Sequence, residues 1–311
     1  MKNEIFIYSF YRFTKIEDIK FIKQALDNFL YDKLVKGTVL IANEGINGSI
    51  SSSEKQLNEI LSFIRKLLKI KKLNLKKNKV KFIPFNKIKV RLKKEIVSLG
   101  IKNIDVHFKN GKYVKPKDWN KVLGEKNLTL IDVRNEFEIK IGSFKNALNP
   151  HTISFRDFPK QIEKLHLNKQ SKIAMYCTGG IRCEKASTYL KTRGYKNVFQ
   201  LSDGIIGYLE YVKNNNAKSL WKGECFVFDG RITINKNLKK GKYYQCYGCR
   251  HPITKDDMNK DTYIKGVSCP HCYDKKTIKQ VNSLTVRQKQ IDSNKNVSLM
   301  KKYEKIFEIN S

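Results

Sequence analysis

The sequence predicts a mixed α/β and α+β protein built in three parts, and three observations carry that prediction. Residues 4–92 order their strand and helix signals as β-α-β-β-α-β. Residues 113–215 alternate apolar strand runs with helical stretches, the pattern of a parallel sheet covered on both faces. From Trp221 the texture changes to short strands around two CxxC pairs.

In the first part, EIFIYSFYRF (4–13) alternates and is rich in aromatics, so it reads as a strand. IEDIKFIKQALDNFLYDKL (16–34) has apolar residues at helical spacing. GTVLIANEGINGSIS (37–51) is two short apolar runs joined by a Gly/Asn turn, a hairpin signal. SEKQLNEILSFIRKLLKI (53–70) is a second amphipathic helix with Ser53 as its candidate N-cap. VKFIPF and IKVRL, between 80 and 92, are expected to add strand. The whole is a ferredoxin-like unit, with its helices on one face of an antiparallel sheet.

In the second part, LTLIDVR (128–134), KIAMYC (172–177) and NVFQL (197–201) are buried-strand runs. Helices are expected around 155–166 and over EKASTYLKTRG (184–194), which Gly194 ends. In the third, ECFVFDGRITI reads as strand–turn–strand, and the chain from Lys275 is polar and basic. The expected divisions are 1–100, a linker over 101–112, 113–218, 219–280 and a basic tail over 281–311.

The 311 residues are 40% hydrophobic and 30% charged, which suits globular domains and argues against wholesale disorder. No apolar stretch is long enough to span a bilayer, so no membrane partner is expected. Glu4 interrupts what would be a signal peptide's hydrophobic region, so the expected location is cytoplasmic. The net charge of +34 suits a phosphate-rich partner. Lys far outnumbers Arg, and Asn and Ile are frequent, so drift in base composition accounts for the charge equally well. Seven cysteines with no export signal favour metal or thiol chemistry over a disulfide framework.

The densest chemistry lies in YCTGGIRCEKAS (176–187). Cys177 ends an apolar strand, where open α/β sheets place their ligand sites. Thr178, Gly179, Gly180 and Ile181 form a loop whose backbone N–H groups can converge on one sulfur, and a helix follows whose N-terminus favours an anion. Those donors, with the charge of Arg182, lower a thiol's pKa, and the thiolate is the nucleophile. Cys177 and Arg182 are therefore the candidate catalytic pair. Cys183 reads equally as a resolving thiol for Cys177 and as a small residue at a helix start. The Cys-x4-Arg loop is one residue shorter than the phosphate loop of cysteine phosphatases and suits a smaller group, such as one extra sulfur.

This strand–loop–helix, with LIDVRNEFEIKIGSFKNALN (130–149), resembles the rhodanese family; Asp132, Arg134, Glu138, Gly142 and Ala147 fall on that family's pattern. Ser143 stands where many rhodaneses have His. With NEGINGSI (43–50), KIKVRLKKEIVSLG (87–100) and FVFDGR (226–231), the resemblance over about residues 4 to 290 is to the tRNA uridine-34 hydroxylase family. That resemblance implies a ferredoxin-like domain, a rhodanese domain with Cys177 as the reactive residue, and a Cys-rich C-terminal segment. It implies oxygen-dependent conversion of the tRNA wobble uridine to 5-hydroxyuridine, with O2 as co-substrate, tRNA as partner and an unidentified electron donor. A persulfide or peroxidised Cys177 is one route for delivering oxygen.

Asn43, Glu44, Asn47 and Arg134 are candidates for substrate contact, although a plain turn also explains NEGING. Tyr8, Phe10, Tyr11, Arg12 and Phe13 could stack an RNA loop, but core packing of the first strand is the stronger reading. No flavin or NAD fingerprint is visible, and no iron triad stands out among the five histidines.

Cys246, Cys249, Cys269 and Cys272 form C-x2-C-x19-C-x2-C, the spacing of a structural Zn2+ site in a zinc-ribbon-like segment. Cys225 reads as a packed strand residue. The rival function is a plain sulfurtransferase that passes a sulfane sulfur from Cys177 to a small thiol or protein. A further rival is an RNA-binding module with a vestigial rhodanese domain. An intact Cys177 and Arg182 count against it.

Overall fold

In the computed structural model, which describes residues 4–102, 104–107 and 110–293, the first seven elements are β1 (Ile5–Phe13), α1 (Ile19–Leu30), β2 (Lys36–Ala42), β3 (Gly45–Ser52), α2 (Glu54–Leu67), β4 (Asn74–Val80) and β5 (Ile88–Leu92). They form a sheet of order β4-β1-β3-β2-β5, antiparallel except for the β2–β5 pair. Asp18 and Ser53 cap the two helices, each accepting a backbone N–H from the first turn. Tyr8, Phe10, Val39, Ile41, Ile46 and Ile50 meet the apolar stripes of α1 and α2. The alternate residues, among them Ser9, Tyr11, Thr38, Leu40, Asn47 and Ser49, line a cavity on the other face.

One expected strand lies elsewhere. VKFIPF has only its first residue in β4, which runs over the lysine-rich NLKKNKV, and 81–85 form the connection to β5. As an edge strand with one partner, β4 needs little apolar character, and charge on it blocks further pairing.

The next seven elements are β6 (Lys112–Val114), α3 (Pro116–Leu123), β7 (Leu128–Asp132), α4 (Glu136–Ile139), β8 (Gly142–Phe144), α5 (Phe158–Glu163) and β9 (Lys172–Tyr176). They are followed by α6 (Ile181–Thr192), β10 (Asn197–Leu201) and α7 (Gly204–Asn214). The sheet is parallel throughout, in the order β6-β10-β9-β7. Alternation along β9 divides the core in two. Ala174 and Tyr176 join Trp119 of α3 and Ile205 of α7, while Ile173, Met175 and Cys177 join Phe158 of α5 and Ala186 of α6.

The remaining elements are β11 (Trp221–Gly223), β12 (Cys225–Phe226), β13 (Thr233–Ile234), β14 (Tyr244–Gln245), β15 (Pro252–Ile253), α8 (Lys255–Met258) and α9 (Ile278–Asp292). β11 pairs with β8, tying this segment to the parallel domain. The expected strand–turn–strand at 225–234 is the antiparallel β12–β13 pair, and buried Cys225 packs in it, its thiol pushed up to about 12 by burial. The basic stretch from Lys275 forms α9, and the part of the expected tail from 294 onward lies outside the described residues. Among the described residues no helix is long and apolar enough to cross a membrane.

Candidate active site and metal centre

Cys177 follows β9 directly, and its side chain is buried. The loop is short: α6 starts at Ile181, earlier than the sequence pattern suggests, so Arg182 sits in the first helical turn. Gly180 stands at the N-cap with φ +95°, a left-handed conformation that turns its N–H onto the Cys177 sulfur at 3.2 Å. The N-terminus of α7 holds the loop from behind. Ile205 N–H donates to the Cys177 carbonyl at 2.9 Å and Ile206 N–H to the Thr178 carbonyl at 3.1 Å.

Burial by itself would push the Cys177 thiol up. A hydrogen bond from the Cys183 thiol, the charge of Arg182 and the backbone N–H groups of Cys183 and Arg182 overcome it and bring the value down to about 6. Cys183 is itself buried, and burial together with its bond to Cys177 holds its own thiol well above the usual range. At neutral pH the pair is therefore a Cys177 thiolate accepting from a Cys183 thiol.

Arg182 makes a two-point ion pair with Glu138, Nη1 to Oε1 and Nη2 to Oε2 at 2.7 Å each, and reaches Thr178 Oγ1 at 3.4 Å. Its guanidinium also lies 5.8 Å from the ring centroid of Phe228, which is 63% exposed.

Arg134 does not meet the expectation of substrate contact. It is wholly buried, bound to Asp132 through Nε at 2.9 Å and Nη2 at 2.7 Å and to the Gly142 carbonyl at 2.6 Å, with the Trp221 ring 5.0 Å away. A wholly buried arginine fixed by Asp132, the Gly142 carbonyl and Trp221 cannot reach a ligand in the cavity. Asp229 and Arg231 in FVFDGR repeat the same geometry, Nε–Oδ1 2.9 Å and Nη2–Oδ2 2.7 Å, and these two line the cavity.

That cavity has a volume of about 480 Å3, within the range of small-molecule sites. Its walls come from all three parts of the chain: Ser9, Tyr11 and Asn47 of the first sheet, Cys177 and Arg182, and Val227 to Asp229. Asn43, Glu44 and Asn47 are near this junction but engaged in holding it. Asn43 Nδ2 donates to the Ile16 carbonyl at 3.0 Å, Asn47 Nδ2 to the Ile96 carbonyl at 2.9 Å, and Glu44 accepts from Ile96 N–H at 2.7 Å. The second oxygen of Glu44 meets Lys185 of α6 at 2.7 Å. Of these three, only Asn47 also lines the cavity.

Tyr8, Phe10 and Phe13 are core residues. Tyr11 is different: it lines the cavity and donates to Glu184 at 3.1 Å, and burial followed by the Glu184 charge raises its hydroxyl far above the ordinary value. Glu184 also accepts from Tyr113 at 2.7 Å. Glu138, Glu184, Lys185 and Arg231 were not singled out as site residues from the sequence, and Tyr11 was read more strongly as core packing of the first strand than as a contact residue. Within FVFDGR the only available signal was charge next to a short apolar run, and the polar EKAS stretch offered none.

The four C-terminal cysteines come together, all their sulfurs within 4.8 Å of one another. Cys249–Cys269 and Cys269–Cys272 are 3.8 Å apart and Cys246–Cys272 4.0 Å. A tetrahedron with Zn–S bonds of about 2.3 Å has edges of about 3.8 Å, so the cluster fits Zn2+. The hydrogen bond from Cys249 and the backbone N–H groups of Cys249 and Gly248 pull the Cys246 thiol below its usual range, toward the thiolate that ligates a metal.

Residues 5–96 match the UPF0176 acylphosphatase like domain, and residues 115–210 match the rhodanese-like domain. The chain joins a UPF0176 N-terminal domain to a rhodanese-like domain. The two domains in this order are the architecture of the tRNA uridine-34 hydroxylase (UPF0176) family. Among solved structures, the chain is similar to a rhodanese-related protein from Thermoplasma volcanium, at 25% identity over 32% of this chain and 92% of that one, with a TM-score of 0.28. It is similar also to a rhodanese-like domain protein from Staphylococcus aureus, at 26% identity over 31% and 90%, with a TM-score of 0.27.

Proposed function

We propose that this protein hydroxylates C5 of the wobble uridine of tRNA, with Cys177 as the reactive residue. The observation that carries this reading is the enclosure of Cys177. A thiolate poised near pH 6 faces a cavity whose walls need the first sheet and the FVFDGR segment as well as its own loop. A sulfurtransferase for small thiols requires only the loop. The cavity suits one extruded base, because unstacked loop nucleotides can be splayed into such a site and stacked against aromatic side chains.

In the overall reaction one oxygen atom of O2 enters the C5–H bond, and the other leaves as water at the cost of two electrons from an external donor. The residues of this chain bind and orient. Gly180 N–H and Cys183 hold the sulfur as thiolate, Arg182 keeps a positive charge beside it, and Phe228 stands at the cavity as a stacking surface. Zn2+ on the four cysteines would fix the C-terminal segment and supplies no step at Cys177.

The test is nucleoside mass spectrometry of tRNA from cells lacking the protein, complemented with wild type or Cys177→Ala. Loss of 5-hydroxyuridine-derived nucleosides, restored by wild type alone, supports both reaction and residue. Restoration by Cys177→Ala keeps the reaction and removes the role of Cys177. Unchanged tRNA together with thiosulfate:thiol sulfur transfer would replace the reading with sulfurtransferase.

A further inference from the structure

We infer that a second, larger groove beside the cysteine cluster is the docking surface for the RNA strand that flanks the reacting base; this rests on the RNA-modifying reading above. The groove has a volume of about 1240 Å3 and runs between α4 of the parallel domain and the knuckles and α9 of the C-terminal segment. Its chemistry fits a phosphate backbone. Lys140 stands on one bank and Lys275, Lys276 and Lys279 on the other, against two lining carboxylates, Glu136 and Asp257. Both carboxylates already have partners, Glu136 with Lys140 at 3.1 Å and Asp257 with Lys260 at 3.5 Å. Lys140, Lys275 and Lys279 are exposed.

The floor is apolar and aromatic. Phe137 and His251 stack with ring centroids 4.4 Å apart and planes 18° from parallel, joining α4 to the first knuckle. A base can lie on such a platform while its phosphates meet the lysines. A folded acidic protein would need a broader face than this channel, so a nucleic-acid strand is the better occupant.

Position gives the groove its purpose. Asn135 lines the Cys177 cavity, while the next two residues, Glu136 and Phe137, line the groove. Phe155 lines the cavity, and Thr152 and Ile153 line the groove. One turn of α4 and one loop therefore form the wall between the two. A strand seated on the lysines would lie against the same wall that bounds the Cys177 cavity, so that an extruded base from the neighbouring strand could enter it.

The experiment measures affinity of the zinc-loaded full-length protein for an anticodon stem-loop RNA across a salt series. The groove variant is Lys140→Gln, Lys275→Gln and Lys279→Gln together. The control variant removes the same charge from the exposed helical face of the first domain, as Lys20→Gln, Lys55→Gln and Lys66→Gln. Zinc content and melting temperature verify that both variants are folded. The groove variant should bind roughly tenfold more weakly, with the slope of log K against log salt reduced by about 2, and the control should stay close to wild type. Equal losses in both variants would mean diffuse charge and overturn the proposal. A groove variant that binds RNA like wild type would also overturn it, and would turn attention to an acidic protein partner. If the wild type binds no RNA at any salt, the hydroxylase reading fails and the groove proposal fails with it.

Discussion

Arg182 and Glu138 form a two-point ion pair beneath the Cys177 loop, both nitrogen–oxygen distances being 2.7 Å and both side chains nearly inaccessible to solvent. The pair joins the first turn of α6 to α4, so the guanidinium beside the sulfur is held at a fixed position by another element. It supplies charge to Cys177 without being free to travel to a ligand.

Breaking that pair from one side leaves a buried charge uncompensated. Glu138→Gln should therefore destabilise the protein by about 3–5 kcal/mol. Glu138→Gln combined with Arg182→Met should recover part of the loss, because both charges are then gone. Denaturant unfolding of the four proteins in the double-mutant cycle measures the coupling. A double variant no more stable than Glu138→Gln would contradict the argument.

The Cys177 thiolate should be visible as reactivity and as a pH-dependent stability. Its alkylation rate by iodoacetamide should titrate with a midpoint near pH 6, and Arg182→Gln should move that midpoint upward. In the unfolded chain the thiol titrates near about 8.5. Between these values the unfolded state binds more protons than the folded one, so Cys177 adds stability as pH rises from about 6 and the gain is complete above the unfolded value. The contribution is lost as pH falls through 6. The difference in melting temperature between wild type and Cys177→Ser, followed over that window, should grow with pH. A flat difference would show an ordinary thiol.

Lys185 is a buried lysine that bridges domains: its Nζ lies 2.7 Å from Glu44 and 2.6 Å from Glu95. Burial works to raise the Glu95 carboxyl, but Lys185 and the N–H groups of Leu99 and Gly100 outweigh it and hold the value low. Lys185→Met would leave two carboxylates facing each other at the seam. We expect a loss of about 3–5 kcal/mol and separation of one melting transition into two, read by calorimetry. Glu44→Gln should cost much less, since Glu95 still balances the lysine.

Metal removal should act locally. One zinc per chain is expected, released by chelator or by Cys269→Ser, with elemental analysis as the readout. Hydrogen exchange should then rise over β14, β15 and α8 while the core around β9 and α6 stays protected. Exchange rising equally in β9 would mean that the cluster supports the whole molecule.

What the sequence made legible was local, and the reason is physical. Ser53 announces a helix because its hydroxyl caps a donor three residues away, and CxxC places two thiolates on one turn; both relationships lie within a single element. The Cys177 loop was legible for the same cause. Its partners were not. Glu138 lies 44 residues before Arg182, and Tyr11 lies 173 before Glu184, so only the assembled fold brings them together. Arg134 and Arg182 are both arginines in a motif, but the sequence holds no sign that one is locked against Asp132 and the other stands at the cavity. β4 escaped because an edge strand of lysines carries almost no hydrophobic pattern.

Gly204 tests whether the loop's shape, rather than its residues, sets the state of Cys177. This glycine has φ +61° at the start of α7, packed against the back of the loop. A Cβ there would lie 2.7 Å from the Thr178 carbonyl oxygen and 2.8 Å from Gly179 N, and closer still to the Cys177 carbonyl. All three are backbone atoms, so no side chain can swing aside to make room. Gly204→Ala must push α7 away from the loop, which weakens the bonds from Ile205 and Ile206 that fix the Cys177 and Thr178 carbonyls. With those carbonyls free, the loop loses its anchor behind Cys177, and the Gly180, Arg182 and Cys183 N–H groups that follow it lose their aim at the sulfur. The alkylation midpoint of Cys177 should then rise although no ionisable residue has changed, and the melting temperature should fall. A lower melting temperature with an unchanged midpoint would show that Arg182 and Cys183 alone hold the thiolate.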